Sequence, residues 1–177
     1  MDAKISVGAT DVVMEPLIGY VLDTVGFDEL YRREYPALHA VATALTGMMN
    51  SEDLVQDTMV KALVHWKKVQ RLERPGGWCH RVLVNACRGW WRRRRTEAAY
   101  LSSQPRRPAS QDGPSADVLA FWSAVRDLPT RPRQAVALYY AADRSTAEIA
   151  SILDVPEGTV RSDLARARVV LAQELGS

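Results

Sequence analysis

Apolar residues recur every three or four positions along most of the chain, and the strict alternation of a strand is nearly absent. Phe27, Leu30, Tyr31, Leu38, Val41, Ala42 and Leu45 form one helical stripe that Gly47 ends, with Pro36 expected to kink or break it. A second helix is expected to be capped by Asn50 or Ser51, with Glu52 and Asp53 in its first turn and Lys67 and Lys68 near its end. That polarity suits the helix dipole. Its core face is Leu54, Val55, Thr58, Met59, Ala62, Leu63 and Trp66, which leaves Asp53, Gln56, Asp57 and Val60 on the other side. After "RLERPGG", Pro75 fits a first helical position, and a stripe of Trp78, Val82, Ala86 and Trp90 runs into "RGWWRRRR".

Residues 97 to about 116 are rich in Ser, Pro, Gln and Ala without an apolar period, which predicts an exposed linker. Beyond it, Val118, Phe121, Trp122, Val125 and Leu128 predict a helix stopped by Pro129, and a second helix starts at Thr130. A third begins at Ser145, whose partner Glu148 fits a capping box. The "LDVPEG" turn then leads into a helix with Val160, Leu164, Ala167, Leu171 and Leu175 on one face. Two short helices joined by a tight turn, the second longer, make a helix-turn-helix. The fold class is therefore all-α: two small helical domains joined by a flexible linker, the second a four-helix domain with a helix-turn-helix. The predicted divisions are 1–26, an extension; 27–96, the first domain; 97–116, the linker; and 117–177, the second domain.

A chain of 177 residues, 47% hydrophobic and 25% charged, is ordinary globular material, and it has no apolar run of the roughly 18 residues that a membrane span needs. Its amino terminus makes a poor signal peptide, so a cytoplasmic protein without membrane insertion is expected. Leu17, Ile18, Val21, Leu22 and Val25 could form a short amphipathic helix after Pro16; a true start at Met14 is the alternative. Cys79 and Cys87 fall on one helix about 12 Å apart, beyond the about 7 Å that a disulfide allows, and are read as buried structural thiols.

The net charge of +2 conceals an asymmetry. From Lys61 to Arg95 the chain carries Lys61, Lys67, Lys68, Arg71, Arg74, Arg81, Arg88 and the run Arg92 to Arg95 against Glu73 alone. Local charge of this kind is what a polyanion feels within about 10 Å. Trp78, Trp90 and Trp91 are interleaved with it; Trp78, like Trp66, is read mainly as packing, and the other two either as core residues or as platforms for unpaired bases. In the last helix, Thr159, Arg161, Ser162, Ala165, Arg166 and Arg168 face outward, where arginine can pair with guanine and hydroxyls can bond bases or phosphates. Asp163 lies among them; it could accept from a cytosine amino group, or turn inward and orient Arg166 or Arg133, the reading we favour. No catalytic constellation, metal-ligand spacing or cofactor motif occurs, so an enzyme is not expected.

These residues resemble the extracytoplasmic-function group of bacterial sigma factors, from roughly Phe27 to Leu175. The block "FDELYRREYPALHAVATALTG…SEDLVQDTMVKALVHW…RPGGWCHRVLVNACRGWWRRRR" is similar to the family's promoter-melting domain. The block "AVRDLPTRPRQAVALYYAADRSTAEIASILDVPEGTVRSDLARARVVLAQEL" is similar to its promoter-binding domain. The resemblance implies a factor that binds RNA polymerase core, through the largest-subunit clamp coiled coil and the flap, and helps open promoters. It places Asp53, Gln56, Asp57 and Val60 at the polymerase, and Lys68, Arg81, Asn85, Arg88 and Arg92 at the minus-ten element. Arg161, Ser162 and Arg166 would read the minus-thirty-five duplex with Thr159 beside them, and Arg133 and Arg168 would touch phosphates. Partners so implied are polymerase, promoter DNA in duplex and single-stranded form, and an anti-sigma protein, with the linker threaded through the polymerase channels. A conventional helix-turn-helix regulator and a pure interaction protein are the alternatives.

Overall fold

The computed structural model describes residues 25–100 and 115–176. Among these there are eight helices and no strand: α1 Val25–Thr46, α2 Met48–Val64, α3 Trp66–Val69, α4 Pro75–Tyr100, α5 Ala116–Asp127, α6 Thr130–Tyr140, α7 Thr146–Leu153 and α8 Glu157–Leu175. The residues suggested as an amino-terminal amphipathic helix, apart from Val25 at the start of α1, and most of the expected linker lie outside the described residues.

Helices α1, α2 and α4 bury one apolar seam: Leu38, Val41 and Leu45 from α1, Val55, Met59 and Ala62 from α2, and Cys79, Leu83 and Cys87 from α4. Trp66 of α3 closes one end, meeting Phe27 edge-on at 5.7 Å. Both thiols sit in this core, where burial pushes them up to about 12, so they are protonated packing groups, as expected. In the second unit, α5, α6 and α7 all pack on α8 around Val125, Leu138, Ile149, Val160, Leu164 and Leu171.

Several local expectations are corrected. Helix α1 does not break at Pro36; the lost N–H leaves the Arg32 carbonyl without its usual partner, and water can serve there because both residues are exposed. Helix α2 begins at Met48, ahead of the expected cap: Gly47, at φ 84°, turns the chain directly from α1 into α2. Ser51 is buried inside the helix, donates to the Met48 carbonyl at 2.9 Å and lies 3.3 Å from His39 Nε2. Its hydroxyl is a packing contact rather than a cap. Lys67 and Lys68 belong to α3, and Leu63, Val118 and Leu175, expected inside, are exposed. On α4 the fully buried stripe is Cys79, His80, Leu83, Val84 and Cys87, with Trp78, Val82, Ala86 and Trp90 half-buried along its flank.

The capping box of α7 forms as its sequence requires. Ser145 Oγ accepts from the Glu148 amide at 3.3 Å while the Ser145 amide donates to Glu148 Oε2 at 2.9 Å. Asp154, left-handed at φ 57°, then makes the tight turn into α8. Ser145→Ala should destabilise the second unit by about 1 kcal/mol in a thermal melt. The two units touch directly: α1 packs on α5 and α6, and α4 packs on α7.

Candidate nucleic-acid and partner interfaces

Helix α8 buries Val160, Leu164, Ala167 and Leu171 and turns Arg161, Ser162, Ala165, Arg166 and Arg168 outward, with Thr159 half-buried at its start. Thr146 Oγ1 donates to Glu157 Oε1 at 2.6 Å and ties the first turn of α8 to α7. Arg161 pairs with Glu157 at 3.1 Å on the surface, a contact weak enough in water to be exchanged for a better acceptor. Arg168 donates to the Tyr140 hydroxyl at 3.2 Å and lies over the Tyr139 ring. Asp163 points inward and is 1% exposed. Its partner is Arg131, which donates through Nε at 2.5 Å and Nη2 at 3.3 Å, rather than Arg166 or Arg133. The carboxylate thus ties α8 to α6; it turns inward as expected, but it does not orient Arg166 or Arg133.

The second basic surface is a stripe on α4. Arg81, Asn85, Arg88 and Arg92 follow one another at helical spacing and are all exposed, with Lys68 exposed on α3. Asn85 accepts from Arg88 at 2.8 Å. Part of this stripe is turned towards the second unit. Arg81 Nε donates to the Ile152 carbonyl at 3.3 Å, and its Nη2 donates to the Ser151 carbonyl. These are carbonyls at the end of α7, where helix groups lack partners and the dipole favours a cation. Arg133, expected at a phosphate, is instead buried between the units with its guanidinium 4.8 Å from the Trp91 ring centroid. Trp91 also donates to the Leu45 carbonyl at 2.8 Å, and Trp66 and Trp78 pack on the core, so these tryptophans are structural in this arrangement.

A buried polar cluster holds the units together. Arg144, in the loop before α7, donates to Glu34 of α1 at 2.7 Å and lies 3.0 Å from His80 Nε2 of α4. The Glu34 carboxyl is held at about 2: the neighbouring His80 ring, 3.6 Å away, is the largest influence, Arg33 and the Arg144 charge add to it, and together they outweigh burial. Burial pushes His80 down, so its ring is neutral. Sequence reading missed this cluster, although Glu34 falls four residues from both Leu30 and Leu38, and a carboxylate on an apolar stripe requires a partner.

Both groups have depressed folded-state values, so both favour the closed arrangement at higher pH. Unfolding takes up a proton at His80 once pH falls below 6.5, and at Glu34 once it falls below 4.5. Melting temperature should therefore decline between pH 6.5 and 4.5 and more steeply below 4.5 as pH falls towards about 2. His80→Gln should flatten the first part and, because His80 is also the largest influence on Glu34, make the decline below 4.5 shallower too; an unchanged profile would remove His80 from the coupling.

On the far side of the first unit, α2 exposes Asp53, Gln56, Asp57 and Val60 together, with Val64 one turn further along. Gln56 donates to Glu52 at 3.3 Å. The face combines acidic, amide and apolar groups on a rigid helix, the makeup of a reversible interface with a basic partner. Among the described residues no group of His, Cys, Asp and Glu could hold a metal ion, and no helix is long and apolar enough to cross a membrane.

Two family models match the chain: Sigma-70 region 2 over residues 30–97 and Sigma-70 region 4 over residues 119–171. The chain is 35% identical over 163 residues to the ECF RNA polymerase sigma factor SigM of Mycobacterium tuberculosis, covering 87% of this chain and 79% of that one. It is 28% identical to the RNA polymerase sigma-E factor of Streptomyces coelicolor, covering 89% of each. Among solved structures it is similar to the sigma factor RpoE of Bartonella quintana in complex with the anti-sigma factor NepR. That likeness has a TM-score of 0.70 and 30% identity, and covers 85% of this chain and 97% of that one.

Proposed function

Because the chain belongs to the extracytoplasmic-function sigma factors of the sigma-70 family, we propose that it binds RNA polymerase core, directs it to particular promoters and promotes their melting. The observation that carries this reading is the outward face of α8: Arg161, Ser162 and Arg166 are exposed while Asp163 locks the opposite side to α6. A helix so fixed can enter a major groove without rearranging its own domain. The acidic face of α2 serves the polymerase, by charge complementarity with a basic clamp. The stripe Arg81, Asn85, Arg88 and Arg92, with Lys68 beside it, serves the minus-ten element. Unstacking a base costs a few kcal/mol, which contacts made only to the open strand can offset. Function then rests on binding alone, with no catalytic group.

The closed packing of the two units is the resting form. Arg81 and Arg133 are engaged between them, so full promoter contact requires the units to separate, and core polymerase supplies the binding energy for that. An anti-sigma protein is the partner that holds the chain inactive, a reading supported by the complex in which the similar Bartonella protein was solved.

Run-off transcription with purified core polymerase on a genomic library tests the proposal. New starts sharing two spaced upstream motifs are expected. Asp57→Ala should weaken core binding without changing the melting curve, and Arg161→Ala should relax the upstream motif by about 1–3 kcal/mol. Tight duplex binding without polymerase, together with no new starts, would identify a conventional regulator instead.

A further inference from the structure

Where the end of α4 faces the start of α6, a cavity of about 400 Å³ opens between the two units. Arg88, Arg92 and Arg95 line it from α4, and Arg133 lines it from α6 with Thr130 and Gln134. Among the described residues that line it there is no carboxylate. Arg133 is 4% exposed, and among the described residues its guanidinium meets the Trp91 ring and neither donates a hydrogen bond nor forms an ion pair. A buried cation is costly unless anionic charge balances it, and the Asp127 charge, which favours the Arg133 cation, is outweighed by what opposes it. The amino-terminal end of α6, at Thr130, adds the positive end of a helix dipole to the same space.

We propose that this cavity is a binding site for a small polyphosphate anion, anchored by Arg133 and Arg95 and reached by Arg88 and Arg92. Four guanidiniums on two helices can hold adjacent phosphate groups through charge-assisted pairs, and the Thr130 hydroxyl and Gln134 amide can complete the shell. Burial and then the neighbouring Arg95 charge disfavour the cation at Arg133, and a bound anion relieves both. The volume lies in the roughly 300–1,000 Å³ range of small-molecule sites and is far too small for a duplex. Since the residues come from both units, the ligand binds the closed arrangement and stabilises it. The site stands on its own geometry, and only its regulatory consequence, competition with promoter DNA for Arg88 and Arg92, rests on the function proposed above.

Titration calorimetry on the full chain, with inorganic pyrophosphate in one arm and a nucleoside triphosphate in the other, tests the site without polymerase. Saturable one-to-one binding is expected, with a rise in melting temperature. Arg95→Gln, at the exposed rim, should weaken binding about tenfold and Arg133→Gln more, whereas Arg93→Gln, off the cavity, should leave it unchanged. Equal affinities in the two arms would assign recognition to the phosphates alone; tighter nucleotide binding would show that the rest of the nucleotide is also held. The proposal is overturned if neither ligand saturates, or if Arg93→Gln weakens binding as much as Arg95→Gln. It is also overturned if only oligonucleotide binding depends on Arg95 and Arg133. Because transcription is not read, failure here leaves the sigma-factor assignment to its own assay.

Discussion

Replacing Arg131 with alanine should destabilise the α5 to α8 unit by about 3 kcal/mol, more than the reciprocal change at Asp163. The asymmetry follows from where each charge sits. The Asp163 side chain is 1% exposed and the Arg131 side chain 49% exposed. Without Arg131 the carboxylate stays buried, with no ion-pair partner among the described residues. Without Asp163 the guanidinium turns into water, so Asp163→Ala should lose about 1 kcal/mol or less. A domain of this size shifts its melting temperature by about 4–8 °C for each kcal/mol, so calorimetry separates the two variants readily. Arg131→Ala should also alter upstream promoter selection, because the pair sets how α8 lies on α6. Equal losses in the two variants would mean that burial of the carboxylate is not what makes the pair matter.

The second large effect is expected from Arg144→Ala. This guanidinium links the second unit to Glu34 and His80 of the first, and its removal leaves the carboxylate buried with Arg33 as its remaining ion-pair partner. A loss of about 3 kcal/mol across the interface moves the balance between closed and open arrangements by about a hundredfold. Small-angle scattering should show an increased radius of gyration, and one melting transition should become two. The opened chain should bind promoter DNA at least about tenfold more tightly without polymerase, because Arg81 is released. Gly76→Ala reaches the same cluster from another direction: a Cβ there would collide with the Glu34 carboxylate, which must then move away. Unchanged scattering from both variants would show that the cluster does not hold the units closed.

Local features were legible because their causes are local. Period 3.6 in apolar residues marks helices wherever packing occurs, and the capping box at Ser145 and Glu148 and the turn before Pro156 need only neighbouring residues. The same method misplaced the start of α2: Ser51 looks like a cap, yet Gly47 lets the helix start earlier and the hydroxyl turns to Met48 and His39. Leu63 and Val118 read as core residues because periodicity identifies a face but not what covers its edges.

By itself the sequence determined that this chain is helical, that it carries two units in the order of the sigma-70 regions, and that α8 presents Arg161, Ser162 and Arg166 outward. These follow from spacings of three and four residues and from side-chain chemistry, both written along the chain. Tertiary structure alone decided that Asp163 binds Arg131, that Arg133 is buried against Trp91, and that Arg81 reaches Ser151 and Ile152. Each pairs groups separated by 32 or more residues, and a long charged side chain is equally suited to water, a phosphate or a buried carboxylate. Which of these it meets is set by how the two units pack, and periodicity within a single helix carries no information about that.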